Sequence, residues 1–93
     1  LRGDEMKVNM DIEEIFASRG RTRILKTLII EREMNISELA KRTGLSYTSV
    51  NRHLEELKKS GVIVEKRFGR IRIFKINEQN KIAKAIEEFM MKT

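Results

Sequence analysis

Four side chains able to read nucleic-acid bases recur at helical spacing in this sequence: Tyr47, Thr48, Asn51 and Arg52. A guanidinium can bond guanine through two hydrogen bonds, a carboxamide can do the same with adenine, and hydroxyls can serve either base or phosphate. Glu55 and Lys58 continue the same face. Shortly afterwards Lys66, Arg67, Arg70 and Arg72 flank a glycine, a set of cations suited to phosphates or to a narrow minor groove. From Lys58 to Lys75 seven basic residues stand against the single acid Glu65, so this stretch carries a net +6, equal to the whole chain. The remainder balances.

The elements needed to position these groups follow from the spacing. Ile36 to Gly61 reads as a helix-turn-helix. Ser37 is expected to cap a first short helix with Leu39 and Ala40 inward, because a hydroxyl before an apolar-periodic run satisfies unpaired amide donors. Gly44 falls where the chain must leave that helix with positive φ. Ser46 can cap the second helix, in which Val50, Leu54 and Leu57 recur at i, i+4 and i+7 and so share the inward side. Tyr47, Thr48, Asn51 and Arg52 then face outward at its beginning, the part of such a helix that meets base edges in the major groove. An ordinary solvated polar face is the bland alternative. The turn spacing, the following hairpin and the local charge agree on DNA instead.

After Gly61, Val62 to Arg67 and Ile71 to Ile76 read as two β-branched strands joined by a Phe68-Gly69 turn, giving a hairpin with a basic tip. Met34, Asn35 and Ile36 are expected to be briefly extended and to supply a third, short strand. Phe74 and Ile76 share a face with Arg72, and Ile71 and Ile73 lie on the other. Edge protection explains one such cation in the hairpin, but a set of four with a glycine turn exceeds that need. Lys66, Arg67, Arg70 and Arg72 are therefore assigned to the DNA backbone or minor groove, and Ser46 with Thr22 to phosphates.

Ahead of the motif, Leu1 to Met10 has no periodicity and is expected to be a mobile leader, leaving 11–93 as one domain. Asp11 is read as capping a short helix with Ile12, Ile15 and Phe16 in a stripe. Ser18-Arg19-Gly20 is read as a break before a helix from about Gly20 to Arg32, with Ile24, Leu25, Leu28 and Ile29 inward and Ile30 touching another element. Arg19, Arg21 and Arg23 crowd its beginning, where positive charge opposes the helix dipole and an anion could compensate. Asn77 is expected to cap a last helix from Glu78 to Lys92. Its stripe of Ile82, Ile86, Phe89 and Met90, joined by Ile12, Ile15 and Phe16, is assigned to a dimer interface. His53 lies beside the inward stripe and is read as packing or capping.

Composition narrows the function classes. Ninety-three residues suggest one small domain whose core is marginal without a partner. The absence of cysteine removes disulfides and thiolate metal sites, and one histidine cannot build a site alone. No apolar run approaches a membrane span and no signal-peptide pattern is visible, so a cytoplasmic protein is expected. A pI near 9.9 implies attraction to polyanions. Neither a nucleophile beside a base nor a phosphate-cradling glycine loop is present, and the pairs Glu55-Glu56 and Glu87-Glu88 read as solvated, so catalysis is not expected.

In order, two helices, a helix-turn-helix, a wing and a final helix resemble the winged-helix repressors of the ArsR type and their archaeal relatives. The residues carrying this likeness are Arg21 to Leu25, Glu38-Leu39-Ala40 through Gly44-Leu45-Ser46, Val50 to Leu54, and Gly61-Val62-Ile63 leading to Gly69-Arg70. The resemblance implies a mainly helical α+β fold with a two- to three-stranded wing sheet and a C-terminal dimerisation helix. It also implies a homodimer with its outer helices at the interface and Ser46 to His53 against DNA. Many members release DNA on binding metal through cysteines or clustered histidines and carboxylates; this chain lacks the first two, so neither metal nor cofactor is expected. A sequence-specific double-stranded DNA-binding regulator of transcription is thus the leading expectation. An architectural DNA-coating protein and a winged helix that binds a protein partner are its rivals.

Overall fold

A third strand is present as expected, at Glu33–Met34 rather than over Met34 to Ile36, and it adds to the hairpin's sheet. The computed structural model describes residues 12–92, so the Leu1 to Met10 leader and the Asp11 cap lie outside the described residues. In order the elements are α1 (Ile12–Ala17), α2 (Arg19–Glu31), β1 (Glu33–Met34), α3 (Ile36–Thr43), α4 (Tyr47–Lys59), β2 (Ile63–Phe68), β3 (Ile71–Ile76) and α5 (Lys81–Met91). The sheet is antiparallel in the order β1-β3-β2, with Met34 opposite Phe74 and Glu65 opposite Phe74 from the other side.

Helix starts differ from expectation where several capping residues lie close together. Asn35, not Ser37, caps α3: its Oδ1 accepts from the Glu38 amide at 2.8 Å, and the Glu38 carboxylate accepts from the Asn35 amide at 3.0 Å. This reciprocal box satisfies two orphan donors where a serine one turn in would satisfy one. Asn80, not Asn77, caps α5, accepting from the Ala83 amide at 2.9 Å. Asn77 ties the end of β3 to the end of α4 instead, donating to the Gly61 carbonyl at 2.9 Å. Ser18, read as part of a break, caps α2 by accepting from the Arg21 amide at 3.1 Å, so α1 and α2 are separated by one residue. Ser46 caps α4 as expected, accepting from the Ser49 amide at 3.1 Å.

The turns depend on backbone freedom. Gly44 has φ 76° and its amide closes α3 onto the Ala40 carbonyl, and Gly61 at φ 84° follows α4. At both positions a side chain is strained, which is why glycine marks them. Phe68 pairs with Ile71, so the hairpin turns at Gly69-Arg70, one residue later than expected.

One core collects Ile15 from α1, Ile24, Leu25, Leu28 and Ile29 from α2, Leu39, Val50, Leu54 and Leu57 from the motif, Phe74 and Ile76 from β3, and Ile86 from α5. Ile15 and Ile86, assigned to a dimer contact, are 0% and 2% exposed and so belong to this core. Ile82 and Met90 are partly covered by it. The reason is the shortness of α1 and α5: their inward residues are needed to close the core over α2. Apolar surface nevertheless remains at Ile12, Phe16, Phe89 and Met91, with the Phe16 and Phe89 rings in edge contact at 6.3 Å. Ile30 is exposed.

Candidate nucleic-acid interface

The inward stripe of α4, Val50, Leu54 and Leu57, is fully buried, which fixes the rotation of the helix. Its other side is therefore open at the beginning. Tyr47 is 58% exposed, Thr48 and Arg52 are exposed, and Asn51 is half-buried. No part of the described chain seals this face.

The wing stands directly beside it. Arg72 on β3 donates from Nη2 to Glu55 Oε2 at 2.8 Å and from Nη1 to Asn51 Oδ1 at 3.5 Å, bridging the hairpin to the outward face of α4. A cleft of about 210 Å³ runs between Tyr47, Ser37 at the start of α3, and Arg70 and Ile71 on the wing. Together these contacts put Tyr47 and Asn51 of α4 on the same side of the molecule as the wing arginines Arg70 and Arg72.

Within that surface the four wing cations are not equivalent. Arg70 at the tip is exposed and has no ion-pair partner among the described residues. Arg67 is mostly exposed but leans on Glu65 at 3.0 Å. Lys66 points to the other face of the sheet, toward Glu33 at 3.0 Å. Arg72, expected to grip the DNA backbone or minor groove, is instead held among Glu65, Glu55 and Asn51 with its guanidinium 5.1 Å from the Phe74 ring. Glu65 was legible only as the lone acid of a basic stretch and Glu55 as a solvated acid, and their capture of Arg72 was missed. The signal that could have found it was the opposite-sign pairing of a lone acid with cations across a hairpin.

Ser46 uses its oxygen as the α4 cap, which leaves its hydroxyl hydrogen free to donate outward. Thr22, also assigned to phosphate, spends its hydroxyl hydrogen inside the chain, on the Ser18 carbonyl at 3.0 Å with the Ile15 carbonyl at 3.3 Å. Of the three arginines at the start of α2, Arg19 is exposed and the other two are likewise engaged internally. Arg21 pairs with Glu56 on α4 and donates to the Glu14 carbonyl at 3.1 Å, and Arg23 donates to the Thr43 carbonyl at 2.9 Å, at the end of α3. Arg23 thereby meets the negative pole of α3.

His53 is buried, as its place beside the stripe implied, and its Nδ1 has no hydrogen-bond partner among the described residues. Burial first, then the nearby charges of Arg21 and Arg52, lower its pKa below 6.5, while Glu56 opposes them. A methyl group on Gly20 would stand 3.1 Å from His53 Nε2, so the start of α2 approaches α4 closely here. No group of three or more His, Cys, Asp or Glu side chains is gathered as for a metal among the described residues. No helix among them is long and apolar enough to cross a membrane.

Comparison with known proteins agrees with this geometry. Residues 21–64, from the first turn of α2 to the start of the wing, match the family described as winged helix-turn-helix DNA-binding. No functionally curated protein matches the chain in sequence. Among solved structures, HlyU from Vibrio cholerae N16961 superposes with a TM-score of 0.74 at 23% identity, over 85% of this chain and 83% of that one. The transcriptional repressor PagR of Bacillus anthracis gives 0.72 at 19% identity, over 95% and 93%. AntR, an antimony-specific transcriptional repressor, gives 0.73 at 18% identity, over 96% and 75%. At these identities the solved structures establish the fold, and the family match covers the motif and the beginning of the wing. The chain therefore has the winged helix-turn-helix fold, and its residues 21–64 are similar to the DNA-binding family of that description.

Proposed function

We propose that the protein is a sequence-specific, double-stranded DNA-binding regulator of transcription that acts as a homodimer and is a relative of the ArsR-type repressors. In this reading α4 enters the major groove, with Tyr47, Thr48, Asn51 and Arg52 against base edges. Ser46 and the wing residues Arg67 and Arg70 contact phosphates or the adjacent minor groove. The observation that carries it is the Arg72 bridge, which sets the open face of α4 and the basic hairpin side by side. A cytoplasmic site of action is part of this reading.

Dimerisation is supported by the apolar surface left on the outer helices at Ile12, Phe16, Phe89 and Met91. A twofold arrangement suits a DNA reader because half-sites one helical turn apart require two recognition helices. Sedimentation at micromolar concentration should give a dimer, and Phe89→Glu should give a monomer. A wild-type monomer would remove the outer helices from the interface.

Selection from a random duplex pool, followed by footprinting, tests the regulator reading. A specific reader prefers its selected site over random duplex by about a thousandfold or more at physiological salt. Equal affinity for all duplexes would indicate an architectural, DNA-coating role. Absence of salt-dependent duplex binding would favour a winged helix that binds a protein.

A further inference from the structure

Glu65 is the single acid in the most basic stretch of the chain, and only 7% of its side chain is exposed. A carboxylate so covered persists as an anion only with close cationic partners. It has three. Its Oε2 accepts from Arg72 Nε at 2.7 Å and from Arg67 Nε at 3.0 Å, and its Oε1 accepts from Lys58 Nζ at 2.6 Å and from Arg72 Nη2 at 3.3 Å. Both oxygens are occupied, and Arg72 meets them with the two-pronged fork that lysine lacks. The Arg72 hydrogen bonds, with those of Lys58, hold the carboxyl at a pKa of about 2 against the desolvation that raises it.

The rest of the Arg72 guanidinium is directed at α4. It reaches Glu55 and Asn51, which lie one turn apart on the face assigned to DNA. A guanidinium carries donors only, so the carboxamide atom facing it must be the Asn51 oxygen. The Asn51 amino group is consequently turned away from the wing.

We propose that Glu65 is a positioning residue for sequence recognition: by gripping Arg72 it sets the wing against α4 and holds the Asn51 carboxamide with its N–H donors presented to the bases. The inference rests on the reading of α4 as the recognition helix. An asparagine held this way seeks a major-groove acceptor, such as a purine N7 or thymine O4. The two-bond contact with adenine needs the oxygen as well.

Glu65→Gln separates this role from a mere surface charge, because the two views predict different ratios of selected-site to random-duplex affinity. Removing an acid from a cationic surface by itself strengthens binding to every duplex and leaves the preference among duplexes unchanged, since phosphate attraction carries no sequence information. A positioning role predicts that E65Q lowers the ratio of selected-site to random-duplex affinity by about tenfold, with the lost preference concentrated at one base pair of each half-site. Arg72→Lys, which keeps the charge and loses the fork, should do the same. An unchanged or improved ratio in both variants would overturn the proposal.

Should both variants lose their fold by circular dichroism, the wild-type protein supplies the test. Its Arg72 Nε–H should exchange with water slowly enough to be seen by nuclear magnetic resonance at neutral pH, and a fast-exchanging signal would overturn the grip. If the wild type shows no salt-dependent duplex binding, the recognition reading itself fails. That outcome is distinguishable, because a slowly exchanging Arg72 Nε–H would still report the Glu65 contact.

Discussion

Arginine is concentrated in two regions of this molecule, the first turn of α2 and the surface shared by α4 and the wing, and the two use it in opposite ways. At α2, Arg21 pairs with Glu56 and Arg23 covers the last carbonyl of α3, so both guanidiniums join helices together. On the other surface Arg52 and Arg70 are exposed with no acid against them among the described residues. Both regions look alike as a count of positive charges. What separates them is whether acceptors of the same chain lie within reach, because donors engaged internally are not available to phosphate. Arg72 shows that the distinction is not one of location. It sits in the region proposed to face DNA yet is engaged like the α2 arginines.

Exchanging residues between these two classes tests the distinction. The largest change in stability is expected for Arg21→Met, which removes charge-assisted bonds from a side chain 15% exposed and should cost about 1.5–3 kcal/mol in urea unfolding. Its duplex binding should keep the wild-type salt slope. A flattened slope with unchanged stability would place Arg21 in the DNA-contacting class. Arg52→Ala should leave stability within about 0.5 kcal/mol of wild type. In binding, it should cost about 1–3 kcal/mol on the selected duplex and relax preference at one position. Equal loss on every sequence would reassign Arg52 from bases to phosphates.

Arg70→Ala should weaken all duplexes alike and lower the salt slope by about one, again with little change in stability. The smallest effect concerns His53. Its pKa is lowered in the folded chain, so below pH 6.5 the unfolded chain takes up a proton that the folded chain resists, and stability falls as pH decreases from there toward the folded value. Urea midpoints measured from pH 8 to 5.5 should show this decline, and His53→Leu should flatten it. Glu65 acts in a lower window: its contribution is complete above about pH 4.5 and is lost as pH falls toward 2.

Signals carried within one or two turns were legible before the structure. Ser46, Gly44 and Gly61 could be placed because capping and positive φ are decided by a few neighbouring residues. Where two capping residues lie within one turn, partners decided: the reciprocal box with Glu38 selects Asn35 over Ser37, and Asn80 caps α5 where Asn77 has another partner. Asn77 had one in the Gly61 carbonyl, sixteen residues away in sequence. The stripes of α1 and α5 were correctly read as apolar. Which of their residues are covered by the same chain depended on helix length and crossing, so Ile15 and Ile86 were assigned outward although the core claims them.

Periodicity, caps and charge distribution were enough by themselves to define a helix-turn-helix followed by a basic hairpin, and to place Tyr47, Thr48, Asn51 and Arg52 on one side of a helix. Those are local properties, since a helix rotates its residues by a fixed angle whatever surrounds it. Which cations remain available to a partner was decided only by the tertiary structure. Glu65, Glu55 and Arg72 meet across three elements, and hydrogen bonds and ion pairs act over a few ångströms of space, a distance that sequence separation does not measure.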